Sequence, residues 1–149
     1  VDIRLSHGQA VNVGYIMQSI VDQPHDAGYQ DLLEQLVEYK KLSGEHAAQY
    51  GQLLADSESY TQVAELDKAA GYRLMLAGAL LAGAYTLAIL DEPTYGLPAA
   101  AVSRFLKEVM AAFKPKPLII ISHDFNFIER ICDQQLFLEN GKIDGALPG

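Results

Sequence analysis

The stretch LAILDEPTYGLP, residues 87 to 98, runs four apolar residues into two adjacent carboxylates, Asp91 and Glu92, and then breaks at Pro93. An acidic pair at a strand end can simply shape a turn, because Asp favours turns and proline cannot continue a ladder. The same pair can also divide two tasks, one carboxylate holding a hard cation and the next handling a water molecule. A second apolar run, Leu118 to Ile121, ends in Ser122, His123 and Asp124. His123 follows Asp91 by 32 residues, room for one helix and its connections. A crossover between parallel strands would then set the two polar tips side by side. The run SHD is not read as a Ser-His-Asp triad, since neighbours at a strand tip point in different directions. Ser122 and Asp124 are expected to fix the turn and orient His123.

The elements that must hold these tips are legible in the periodicity. Val11 to Ile16 is β-rich and, with Gly8 in a turn before it, reads as the second arm of a hairpin. Leu32, Leu33, Leu36 and Val37 recur at helical spacing, a second helix is expected over 47–54, and 57–67 reads as a polar connector. The small and aliphatic run AAGYRLMLAGALL, from Ala69 to Leu81, suits a helix packed on nearly all sides. A strand is expected at 85–90. Pro98 then suits a first helical turn, and Val102, Phe105, Leu106, Val109, Met110 and Phe113 form a core-facing stripe. A strand at 118–121, a short helix over 127–131 and a hairpin turning at Asn140-Gly141 complete the chain. Continuous apolar strands alternating with helices imply an α/β fold with a parallel sheet covered on both faces, whose ligands sit at the carboxyl ends of the strands. Both polar tips fall there.

The bulk numbers narrow the class. A chain of 149 residues, half of them hydrophobic, suits one globular unit. No apolar run approaches the roughly 20 residues that span a bilayer, and VDIRLSHGQ does not read as a signal peptide. Cys132 is the only cysteine, which excludes an intrachain disulfide or a thiolate cluster, agrees with a reducing compartment and suggests a core position. The net charge of −8 comes from residues 22–67, with ten acids against Lys40 and Lys41. Such a surface would repel phosphate backbones, so direct nucleic-acid binding is not expected.

In this order and spacing, LAILDEPT followed by LIIISHDFNFIERICDQQLFLENGKI resembles the ABC-type ATPases: their Walker B strand, switch histidine and closing hairpin. Gln18, in VGYIMQ, matches the family's Q-loop upstream. The resemblance runs from about Val11 to the C-terminus and implies a P-loop NTPase-like fold. It also places an inserted helical subdomain at 25–67, within a partial nucleotide-binding domain that spans 1–149. It implies ATP and Mg²⁺ as ligands, with Asp91 holding Mg²⁺, Glu92 acting as general base on the attacking water and His123 donating to the γ-phosphate. Gln18 would reach both metal and water. SHDFNFIERICD is most similar to the soluble ABC-F branch, whose members act on ribosomes; a membrane transporter subunit is the other implied partner. Either way a second nucleotide-binding domain and a cytoplasmic location are implied. The rival reading is a non-catalytic interaction module that keeps the fold without turnover.

Three departures accompany the resemblance. The sequence contains no G-x-x-x-x-G-K-S/T loop, so the backbone cradle and lysine for the phosphates are missing, as though the chain were the C-terminal two-thirds of the domain. Where the signature motif should open the helix before the Walker B strand stands LDKAAG, 66–71, with Asp67 repelling phosphate. LSHGQ at 5–9 and LSGEH at 42–46 look closer to that motif but are misplaced. Finally, Pro98 ends TYGLP where the family has an Asp near the end of a loop that crosses the dimer.

Overall fold

The computed structural model describes residues 11–16, 42–56 and 68–148. Within them the chain runs β1 (Val13–Ile16), α1 (Gly44–Asp56), α2 (Lys68–Ala82), β2 (Leu87–Asp91), α3 (Ala99–Ala112), β3 (Leu118–Ile121), α4 (Phe125–Ile131), β4 (Gln134–Glu139) and β5 (Lys142–Pro148). The expected first hairpin arm, the helix around 32–37, the 57–67 connector, LSHGQ and Gln18 lie outside the described residues.

β1, β2 and β3 form a parallel sheet in that order, with Tyr15 opposite Ile89 and Asp91 opposite Ile121. The α/β class read from the sequence is the observed one. β1 pairs with β2, which begins 71 residues after β1 ends, and Thr86 ties the starts of the two strands together. Its hydroxyl accepts from the Asn12 amide at 2.7 Å, and its own amide donates to the Asn12 carbonyl at 2.9 Å. That anchor also moves the strand expected at 85–90 to 87–91, so Asp91 is the last residue of β2. Since strand side chains alternate between faces, Ile16, Ala88 and Leu90 are buried with the helices, whereas Tyr15, Ile119 and Ile121 on the opposite face are about half exposed. Coverage of that second face is partial among the described residues.

The helices follow their apolar patterns. Ala77 and the run Ala79 to Ala82 of α2 are buried, as expected for so small a set of side chains, and α3 turns Val102, Phe105, Leu106 and Val109 inward. Pro98 sits just before α3 as its N-cap, not within the first turn. α1 is longer than expected because Ser43 caps it, its hydroxyl accepting from the His46 amide at 3.2 Å. LSGEH therefore opens α1, not the helix that leads into β2. Tyr50 of α1 is fully buried against Phe105, ring centroids 6.3 Å apart, and lies over Gly78 of α2. Gln49 adds a bond to the Ala112 carbonyl at the end of α3, 3.3 Å.

α4 starts at Phe125, two residues earlier than expected, because Asp124 caps it by accepting from the Phe127 amide at 3.0 Å. Replacing Asp124 by alanine is expected to lower stability by about 1 kcal/mol, read as the shift of the chemical-unfolding midpoint. Cys132, expected in the core, is only half-buried: it closes α4, its amide donating to Ile128, and burial raises its thiol pKa. β4 and β5 pair antiparallel with Glu139 opposite Lys142. The turn between them is the expected one, Asn140 and Gly141 both adopting positive φ, +50° and +73°.

Candidate active site

β2 and β3 are adjacent and parallel, so Asp91, Glu92, Ser122 and His123 leave the same edge of the sheet. Glu92 is the centre of the arrangement. It is a non-glycine residue at φ +48°, a left-handed conformation that side chains disfavour. Neighbouring bonds hold it there: its amide donates to the Ile121 carbonyl at 2.8 Å, and its carbonyl accepts from the Tyr95 amide at 3.1 Å. This sharp exit from the strand turns the Glu92 side chain toward β3. Oε1 accepts from the His123 backbone amide at 3.0 Å and Oε2 from the Ser122 hydroxyl at 3.3 Å. Strain of this kind, of order 1–3 kcal/mol, persists only where the surroundings over-determine it, and it concentrates at functional positions.

The imidazole of His123 stands beside the same carboxylate, Nε2 3.5 Å from Glu92 Oε1. The two side chains differ sharply in exposure, 100% for His123 against 12% for Glu92. A fixed, sheltered carboxylate thus faces a projecting imidazole free to meet an incoming group. Ser122 does not contact the imidazole as a triad would require. Its hydroxyl donates to Glu92 and accepts from the Asp124 amide at 3.0 Å. The expected turn-fixing role of Ser122 and Asp124 is observed, and Ser122 also fixes Glu92, a contact that spacing alone did not suggest.

Asp91 points to the other face of the sheet. Its Oδ2 accepts from the Tyr15 hydroxyl at 3.1 Å, and this bond, with some desolvation and the nearby negative charge, raises the phenol above its ordinary pKa of 10.0. Spacing and residue type alone do not single out Tyr15. The available signal was its place three residues before Gln18 in a short strand, on a face that parallel pairing makes common with Asp91.

No group of three or more His, Cys, Asp or Glu residues able to enclose a metal occurs among the described residues. That donor set does not suit a resident, fully protein-ligated ion. It does suit Mg²⁺ delivered with phosphates, which keeps several waters and takes one or two carboxylates. Asp91, with one oxygen bonded by Tyr15 and the other unclaimed among the described residues, can supply one such ligand. Gln18, the other expected ligand, lies outside the described residues.

No family model matches the chain. A putative ABC transporter ATP-binding protein of Mycoplasma genitalium is 34% identical over 137 residues, which cover 88% of this chain and 38% of the relative. The ABC transporter F family member 4 of Arabidopsis thaliana is 38% identical over 84 residues, 52% of this chain and 11% of the relative. The solved ATP-binding subunit of an ABC transporter matches with a TM-score of 0.64 at 21% identity, covering 92% of this chain and 59% of that one. The chain therefore spans under two-fifths of the length of these curated relatives. No helix among the described residues is long and apolar enough to cross a membrane. With its two polar strand tips on a fold shared with that subunit, and its sequence similar to curated ABC ATP-binding proteins over most of its length, the chain is a homologue of the ABC-type ATPases.

Proposed function

We propose that these 149 residues carry the water-activating and metal-holding half of an ATP-hydrolysing site, completed by a phosphate-binding loop outside them. The observation that carries this reading is the bonding of Glu92 to Ser122 and His123 across adjacent parallel strands. In the reaction, ATP and water yield ADP and phosphate. Mg²⁺ supplies charge neutralisation at the phosphate oxygens when bound, and Asp91 holds it. Glu92 orients the attacking water and accepts its proton, held in place by Ser122 and the His123 amide. His123 reaches outward to donate to the terminal phosphate, where charge builds as the bond to ADP breaks.

Gln18 belongs to the same proposal as a second contact to metal and water, and residues 25–67 as the inserted helical subdomain that nucleotide state moves. Within the described part of that segment, Leu42, just before α1, and Tyr50 of α1 pack into the common core. The protein acts in the cytoplasm beside a second nucleotide-binding domain. The relatives' names favour a membrane transporter as the partner; none of them speaks of a ribosome. The ABC-F branch is the second reading, favoured by SHDFNFIERICD and by the likeness to an F family member.

The test is ATP turnover by the intact polypeptide. Mg²⁺-dependent hydrolysis that disappears in Asp91→Asn supports the proposal. ATP binding without turnover would identify a non-catalytic interaction module instead. The 149-residue chain alone is expected to show negligible turnover, since it has no backbone cradle for the phosphates. Turnover by this piece that vanishes in Glu92→Gln would reveal a phosphate site elsewhere in it.

A further inference from the structure

We infer that Tyr15 is a positioning residue for the cation-holding carboxylate, fixing Asp91 so that its second oxygen meets the ion. This rests on the reading of Asp91 as a metal ligand. The hydroxyl of Tyr15 donates to Asp91 Oδ2 at 3.1 Å, joining residues 76 positions apart. Tyr15 stands opposite Ile89 in the parallel pair, so it shares the Asp91 face and its ring reaches along the sheet to the strand tip. Half of its surface is exposed, so packing alone does not hold the ring there. The hydrogen bond does.

A carboxylate at a strand end is free to rotate about its last bond, and each orientation presents a different oxygen to the ion. Donation to one oxygen selects the orientation before the ion arrives and leaves the other lone pairs for it. Carboxylates that bind metals are themselves hydrogen-bonded for this reason, and losing such a partner typically weakens metal binding by about 10- to 100-fold. Tyr15 also lies three residues before Gln18 on one continuous segment. The phenol thus ties β1 to the tip of β2.

The experiment is a titration of the isotope-labelled intact protein with Mn²⁺ in the presence of a non-hydrolysable ATP analogue, followed by paramagnetic broadening of amide signals at 91–92 and 122–123. Wild type is expected to broaden there first, Asp91→Asn to lose the effect, and Tyr15→Phe to need about tenfold more Mn²⁺. Its amide spectrum without metal should otherwise match wild type, with changes confined to the neighbourhood of the phenol. A merely structural role would alter the metal-free spectrum or lower the melting temperature without moving the Mn²⁺ midpoint, and would overturn the inference. A Tyr15→Phe midpoint within twofold of wild type, with Asp91→Asn still inert, overturns the Tyr15 role alone. Absence of broadening in wild type, or its persistence in Asp91→Asn, overturns the Asp91 reading together with it.

Discussion

Replacing Glu92 by glutamine is expected to slow ATP hydrolysis by the intact protein by about 10²- to 10⁴-fold, the contribution of a positioned general base, while ATP still binds. The substitution is close to isosteric. The glutamine carbonyl can accept from the His123 amide as Oε1 does now, and its NH₂ can donate to the Ser122 hydroxyl in place of the bond that Oε2 accepts. What it cannot do is take a proton from water. Single-turnover hydrolysis of pre-bound ATP separates this loss from any effect on affinity. A rate within tenfold of wild type would remove Glu92 from the base role. Ser122→Ala should fall between the two, because it frees one oxygen of a carboxylate that the His123 amide still holds.

The second large effect concerns stability. Tyr50 is the largest fully buried side chain among the described residues, and its replacement by alanine is expected to destabilise by about 3–5 kcal/mol. Its ring is possible only because residue 78 is glycine: a Cβ there would come within 2.7–2.8 Å of the Tyr50 ring carbons and nearer still to its hydroxyl. Gly78→Ala alone would then cost about 1–3 kcal/mol as overpacking, although alanine favours a helix by about 1 kcal/mol over glycine. With the ring removed the sign reverses. In a Tyr50→Ala background, Gly78→Ala should stabilise by up to about 1 kcal/mol, and denaturant unfolding of the four proteins in a cycle measures that coupling. Additive effects would show that the two residues do not share the contact.

Much of this architecture was legible because its signals are local. The stripe from Val102 to Phe113, the apolar run 118–121 and Asn140-Gly141 each encode their element in residues that are neighbours in sequence, and each appears where expected. The side-by-side placement of the two polar tips was legible too, since a short crossover leaves few alternatives. What the sequence concealed was set by partners far along the chain. Thr86 and Asn12 fix where β2 begins, so that Asp91 is within the strand while Glu92 leaves it at positive φ. Strand alternation already sends these adjacent carboxylates in opposite directions, and the backbone turn at Glu92 aims its side chain at the tip of β3. Tyr15 carries no local signal of its role because its partner is 76 residues away. Cys132 is half-buried because a hydrophobic residue that closes a seven-residue helix stays near the surface.

The most direct measurement is a structure of the Glu92→Gln intact protein with ATP and Mg²⁺, in which blocked hydrolysis preserves the substrate. The terminal phosphate is expected within hydrogen-bonding distance of His123 Nε2, with the metal on Asp91 directly or through one water. A triphosphate bound on any other surface, or one at these strand tips with Asp91 and His123 both turned away from it, would contradict the proposal.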